Sequence, residues 1–190
     1  MISIGHVVHP VEVGQGSDLN IAQPVTFESM RRARDFASGR VAVGLYAVQY
    51  SDEKCLSSPE GFIRIPDLTR SVADFAAFQH GRKLALIGDI LDRLAQGSSE
   101  EYLIYSNVDI ALQPHFYLFV AAAAENGYDA FVINRRTIFD RFTDPARLPA
   151  MYAEIGDDHK GYDCFVFRRQ LLRRLSAMRK SGANRPTTNT

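Results

Sequence analysis

Five short runs constrain the fold of this chain more than anything else in it: ISIGHVV (2–8), VAVGLYAVQY (41–50), EYLIYSN (101–107), DAFVIN (129–134) and DCFVF (163–167). Each is apolar through most of its length, and helical or loop-forming stretches lie between them. A strand that is apolar on both sides must be covered on both faces, as happens where parallel neighbours are joined by crossover helices. The pattern predicts an α/β domain with a Rossmann-like, mostly parallel sheet flanked by helices on both faces. Thr26 is the expected N-cap of a helix through FESMRRARDFA, with Gly39 as its stop. Further helices are predicted over 83–94, over 113–126 with Pro114 in the first turn and Gly127 as the stop, and over 168–180. Residues 51–61 predict a loop, 62–68 a short extended piece cut off by Pro66, and 142–155 a weak helix interrupted by Pro149. No repeat or long linker divides the chain. One domain over 1–180 is expected, with 181–190 as a disordered tail.

Composition excludes several function classes. Lys plus Arg and Asp plus Glu balance at 22 each, so no global field draws the chain to nucleic acid. The two cysteines, Cys55 and Cys164, stand far apart in apolar surroundings, which argues for a reducing compartment and against a disulfide or a cysteine-based zinc site. The start, MISIGHVVHP, lacks the pattern of a secretory signal. The most apolar stretch, YLFVAAAAENGY, falls short of the roughly 20 residues that span a bilayer. A cytoplasmic location is expected.

In an open α/β sheet, ligands bind beyond the carboxyl ends of the strands. Two corners lie there: Asn107 and Asp109 after one strand, and Asn134-Arg135-Arg136 after another. Residues two apart in an extended segment face the same way, so Asn107 and Asp109 point toward one ligand. A hard cation takes such oxygen ligands, but a turn-forming Asn and a helix-capping Asp ahead of Pro114 account for them equally. Arginine forks suit a diphosphate, and adjacent arginines in extended backbone point to opposite sides, so one of Arg135 and Arg136 at most meets a given ligand. The loop GDDHKGYDCFVFRR adds three carboxylates and His159 ahead of a strand; it also suits a solvated loop. After the first strand, VGQGSDLN offers Gly14, Gly16 and Asp18 for a base or ribose hydroxyl, or simply a surface turn. Neither a complete G-x-G-x-x-G nor a P-loop is present. His6 and His9 have no evident nucleophile, and no G-x-S-x-G elbow or H-E-x-x-H helix occurs.

The segments YLIYSNVDIALQPHFY, DAFVINRRTI and HKGYDCFVFRR together resemble a bacterial glycosyltransferase-like family with the GT-A, or nucleotide-diphospho-sugar transferase, fold. Asp109 matches the second acidic position of that fold's Asp-x-Asp motif, and Asn107 stands at the first. The resemblance spans about residues 80–175. It implies sugar transfer from a nucleoside-diphosphate sugar, of the UDP or GDP type, to a glycan or lipid-linked acceptor, as in bacterial polysaccharide synthesis. It further implies Mn²⁺ or Mg²⁺ held by Asp109 with His159 as a late ligand, Asn107, Arg135, Arg136 and Asp18 around the nucleotide, and Asp163 as general base. The basic helix 168–180, with six Lys or Arg around Leu171, Leu172 and Leu175, admits a peripheral membrane contact or a solvated face. Two rivals share the fold: a catalytically inactive sugar-nucleotide-binding domain, kept open by Asn107, and a sugar nucleotidyltransferase, disfavoured because GQGSDLN carries no Lys or Arg. A pure protein-interaction module needs no polar cluster at the strand exits.

Overall fold

The computed structural model describes residues 1–53, 59–75 and 83–182, with the last four of these as backbone only. In chain order its strands are β1 (Ser3–Val8), β2 (Ala42–Ala47), β3 (Ile63–Arg64), β4 (Tyr102–Ser106), β5 (Ala130–Ile133), β6 (Arg136–Thr137), β7 (Asp157–Asp158) and β8 (Cys164–Arg168). Its α-helices are α1 (Asp18–Ala37), α2 (Ile87–Gly97), α3 (Phe116–Glu125), α4 (Leu148–Met151) and α5 (Arg169–Gly182). Six strands form one sheet in the order β3-β2-β1-β4-β8-β5, and β6 pairs with β7 in a separate two-stranded piece. All strands of the main sheet run parallel except β8, which is antiparallel to both β4 and β5.

Helices cover both faces, as the all-apolar strands require. On one face Met30, Ala33 and Ala37 of α1 and Phe116, Tyr117 and Val120 of α3 meet Ile4, Leu45, Ile104 and Val166. On the other, Ile90, Leu91 and Leu94 of α2 and Leu172 of α5 meet Val7, Tyr46, Leu103 and Tyr105. A small third cluster joins Val25 of α1 to Phe142, Leu148 and Met151. Cys164 lies in the first core, where burial pushes its thiol up to about 12. Cys55 and the tail from 183 onward lie outside the described residues. No helix among the described residues is long and apolar enough to cross a membrane.

The structure corrects several sequence expectations. Helix α1 begins eight residues before Thr26, at Asp18, where the Ser17 side chain accepts from the Leu19 N–H and Asp18 complements the helix dipole. Pro24 sits inside this helix, costing one backbone donor but not breaking it. Asp18 is therefore an exposed first-turn residue of a helix and not part of a loop. The helix predicted from 83 begins at Ile87, because residues just before it are extended: Leu84 O accepts from Val72 N, and Ala85 bridges Ser71. Pro149 sits in the first turn of α4, where its missing N–H costs nothing, instead of interrupting a helix.

Candidate functional site

The strand order reverses at β1, with β2 on one side and β4 on the other, which makes the carboxyl edge beside β1 and β4 the crevice of this sheet. Parallel strands β4 and β5 deliver their C-terminal exits to this edge. Antiparallel β8 delivers its N-terminal entry there instead. Asn107 and Asp109 follow β4, Arg135 follows β5, and Asp163 precedes β8.

Each of these positions is locked locally. Thr26, in the interior of α1, donates its hydroxyl to Val108 O at 2.8 Å, and Ser29 Oγ accepts from Leu112 N at 2.9 Å. Helix α1 thus fixes the carbonyl between Asn107 and Asp109. Asn107 N donates to Asp163 O at 3.2 Å, joining the exit of β4 to the entry of β8. The Asn134 side chain accepts from Arg135 N at 3.0 Å and donates to His159 O at 2.7 Å, so it turns the chain after β5 toward the His159 segment. Pairing of β6 with β7 draws residues 134–137 and 157–159 together. Gly156 permits this pairing: its φ is +63°, and a Cβ there would meet Thr137 O at 2.6 Å.

The result is one connected polar cluster. Arg135 Nη1 donates to Asp109 Oδ2 at 2.9 Å, Arg135 Nε stands 3.1 Å from Asp163 Oδ2, and Arg135 Nη2 lies 3.2 Å from His159 Nε2. A guanidinium only donates, so His159 Nε2 accepts, which leaves Nδ1 as the N–H that faces Thr137 Oγ1 at 3.3 Å. Asn107 Nδ2 donates to Asp163 Oδ1 at 2.9 Å, while Tyr105 donates its hydroxyl to Asn107 Oδ1 at 3.0 Å. Burial, reinforced by Asp109 and Asp163, pushes the Tyr105 hydroxyl up to about 12, so it stays a donor. Asp163 Oδ2 is shut off from solvent and lies out of line with every N–H around it. That oxygen is within ion-pair distance of Arg135 but is held by charge and not by a hydrogen bond. The Asp109 side chain is 35 % exposed against 14 % for Asp163, and its Oδ1 has no partner among the described residues.

Five of the seven residues singled out in the sequence therefore meet: Asn107, Asp109, Arg135, His159 and Asp163. Arg136 is directed elsewhere; its guanidinium donates to Ile155 O, Gly156 O and the Asp158 carboxylate, stapling the β6–β7 piece. Asp18 makes none of the contacts that join the cluster. Tyr105 and Thr26 carry no sequence mark of a role here, because a tyrosine inside a strand and a threonine inside a helix do not reveal their partners, whereas Asn134 belongs to the second corner and acts there as a positioning residue. His6 does find a hydroxyl, Ser106 Oγ at 2.8 Å, but both residues are fully buried, and Tyr117 holds the other ring nitrogen at 3.0 Å.

The residues do not fit a bound Mn²⁺ or Mg²⁺ in this arrangement. Both carboxylates and the imidazole converge on the guanidinium, and no group of three or more His, Cys, Asp or Glu that could hold a metal ion occurs among the described residues. Formally, two carboxylates face one guanidinium, which leaves the cluster an excess of one negative charge.

No protein-family model and no curated protein matches the sequence. Among solved structures, 4-diphosphocytidyl-2C-methyl-D-erythritol synthase from Anaerococcus prevotii aligns over 100% of this chain and 80% of its own, at a TM-score of 0.50 and 12% identity. TarS 1–349 of S. aureus aligns over 92% of this chain and 49% of its own, with TM-score 0.49 and 10% identity. The bifunctional IspDF of Campylobacter jejuni aligns over 90% and 42%, with TM-score 0.48 and 8% identity. The chain thus spans less than half the length of the latter two. At such identities the likeness is one of fold alone, a mixed α/β domain with a mostly parallel six-stranded sheet.

Proposed function

We propose that the crevice beside β1 and β4 binds a nucleoside-diphosphate sugar and that the protein transfers the sugar to an acceptor hydroxyl. One observation carries this reading: three separate segments deliver Asn107, Asp109, Arg135, His159 and Asp163 into one cluster at the sheet edge where this fold gathers ligands. The physical task is to hold a diphosphate leaving group, balance the charge that grows on it and orient an acceptor. Of the five N–H bonds of Arg135, two are directed at Asp109 and His159 and the Nε–H stands beside Asp163 Oδ2 out of line with it, which leaves two more for phosphate oxygens. A general base must reach the hydroxyl proton. Asp163 has one oxygen held by Asn107 and the other buried, whereas Asp109 is more exposed and its Oδ1 has no partner among the described residues. In this reading the base role passes to Asp109, and Asp163 positions Arg135.

Calorimetric titration of UDP, then GDP, against wild type and Arg135→Ala tests the binding step. Loss of charged hydrogen bonds should weaken nucleotide binding by about 1.5–3 kcal/mol, roughly tenfold to a hundredfold. Absence of binding by wild type, or binding indifferent to Arg135, would overturn the reading. Binding of the donor without release of the nucleotide in the presence of acceptors would assign the chain to the sugar-nucleotide-binding class instead. The nucleotidyltransferase alternative gains nothing from the site, since residues 9–17 between β1 and α1 contain no Lys or Arg.

A further inference from the structure

We infer that the outer side of α5 lies on an anionic bilayer surface: Leu175 and Met178 enter the headgroup layer, and Arg173 and Arg174 meet lipid phosphates. The inference goes beyond the sugar-nucleotide reading and does not rest on it, because no residue of the polar cluster takes part.

The helix divides into a packed side and an open side. Arg168, just ahead of it, pairs with Glu101 and Asp129. Arg169 is buried against the end of α2, and Leu172 enters the second core. Ser176 donates its hydroxyl to Asp92 of α2 at 2.6 Å. Packing takes up these positions. Leu171, Leu175 and Met178 recur at i, i+4 and i+7 and therefore share a different side. Leu171 is half-buried, but Leu175 is 41 % exposed and Met178 69 % exposed. Arg174 stands in the same row, three residues after Leu171 and four before Met178, and Arg173 and Ala177 are exposed next to it.

The charge on this side is all of one sign. Residues 168–182 contain no Asp or Glu, and Arg179 and Lys180 follow Met178 in the sequence. Neither Arg173 nor Arg174 makes a hydrogen bond or ion pair among the described residues. The chain as a whole balances 22 basic against 22 acidic residues, so this excess is local to the helix. A nucleic acid backbone would pair with the arginines but leave the leucine and methionine in water. An anionic bilayer satisfies both, since phosphates meet the guanidinium groups and the apolar side chains sink beneath them. No helix among the described residues is long and apolar enough to cross a membrane, so the contact runs along the surface. Arg169 meets Ala95 and Ser98 at the end of α2, and Ser176 meets the earlier Asp92. Helix α5 thus runs antiparallel to α2 and returns toward the carboxyl edge of the sheet, where the polar cluster lies.

The test is flotation of the full chain with vesicles, without nucleotide. Wild type should float with vesicles of phosphatidylcholine and phosphatidylglycerol in equal parts and not with phosphatidylcholine alone. Arg173→Gln with Arg174→Gln should weaken binding at low salt by about fivefold per arginine, roughly 25-fold together. Leu175→Ser with Met178→Ser should also lose binding. All four residues are exposed or half-exposed, so both variants should melt as wild type does. The chain has no tryptophan, which makes Met178→Trp a single reporter. Its emission should shift to the blue with the mixed vesicles and stay unchanged with poly-glutamate. No flotation of wild type, or equal flotation with both vesicle types, would overturn the proposal. So would binding that ignores the arginine pair or the Leu175–Met178 pair. A blue shift with poly-glutamate as well would assign the surface to an acidic polymer and overturn the bilayer. These outcomes are read without UDP or GDP, so they stand or fall separately from the nucleotide titrations.

Discussion

At the scale of single residues, His6 shows what full burial does to a titratable group. Its ring lies between Ser106 Oγ and Tyr117 OH, and desolvation lowers its pKa from 6.5 to about 3. The folded protein therefore refuses a proton that the unfolded chain accepts. The resulting stability is complete above 6.5 and is lost as pH falls from there toward 3, at about 1.4 kcal/mol per pH unit. In urea unfolding between neutral pH and about pH 5, His6→Phe should lack this part of the acid sensitivity. At neutral pH it should be less stable by about 1–3 kcal/mol, because two buried hydroxyls lose their partner. Asn107 explains why an amide stands where the resembling motif has a carboxylate. It accepts from Tyr105 and donates to Asp163 at once, which an amide can do and an ionised carboxylate cannot. Asn107→Asp should lower the Tm at neutral pH by setting two carboxylates against each other. The deficit relative to wild type should shrink on acidification, since the crowded pair takes up a proton in the folded state first.

At the scale of elements, the clearest lesson lies in Arg169, the first residue of α5. Only 9 % exposed, it donates to Glu100 O at 2.6 Å, Ala95 O at 2.7 Å and Ser98 Oγ at 2.7 Å. A cation at the C-terminal end of α2 satisfies carbonyls that the helix leaves bare and complements its dipole. Arg169→Met should cost about 1–3 kcal/mol in equilibrium unfolding, with no effect on ligand affinity, because three partly buried acceptors lose their donor. Nothing in RRQLLRRLSAMRK distinguishes this arginine from its neighbours, since its partners lie some 70 residues earlier in the chain. By contrast, the apolar strands and the helix over α3 were legible, because burial on both faces writes itself into consecutive residues. The start of α1 was not. Glycines at 14 and 16 and a proline at 24 argue locally for a loop, and packing of Gln23, Val25 and Thr26 into the protein overrides them.

At the scale of the whole molecule, the candidate site was legible in part because strand exits could be marked as ligand-bearing corners before their spatial order was known. That Asn107, Asp109 and Arg135 belong together follows from β4 and β5 both running toward one edge. That Asp163 joins them depends on β8 running the other way, and direction leaves no trace in DCFVF. A ligand at this edge should protect backbone amides of 107–109, 134–137 and 157–163 from hydrogen exchange and leave α5 unchanged. Protection confined to other segments would move the site elsewhere. The placement of β8 also sets a schedule. It is the last of the described strands to be synthesised, yet it lies inside the sheet, and β5 has no other partner in it. While the ribosome is still adding residues up to 163, β5 has emerged with nothing to pair with, and Asp109 and Arg135 have no common frame. At about 5–20 residues per second, this unfinished sheet edge is exposed for seconds in a nascent chain. The Asn107–Asp163 cluster is thus the last part of the sheet edge to assemble in a newly made molecule.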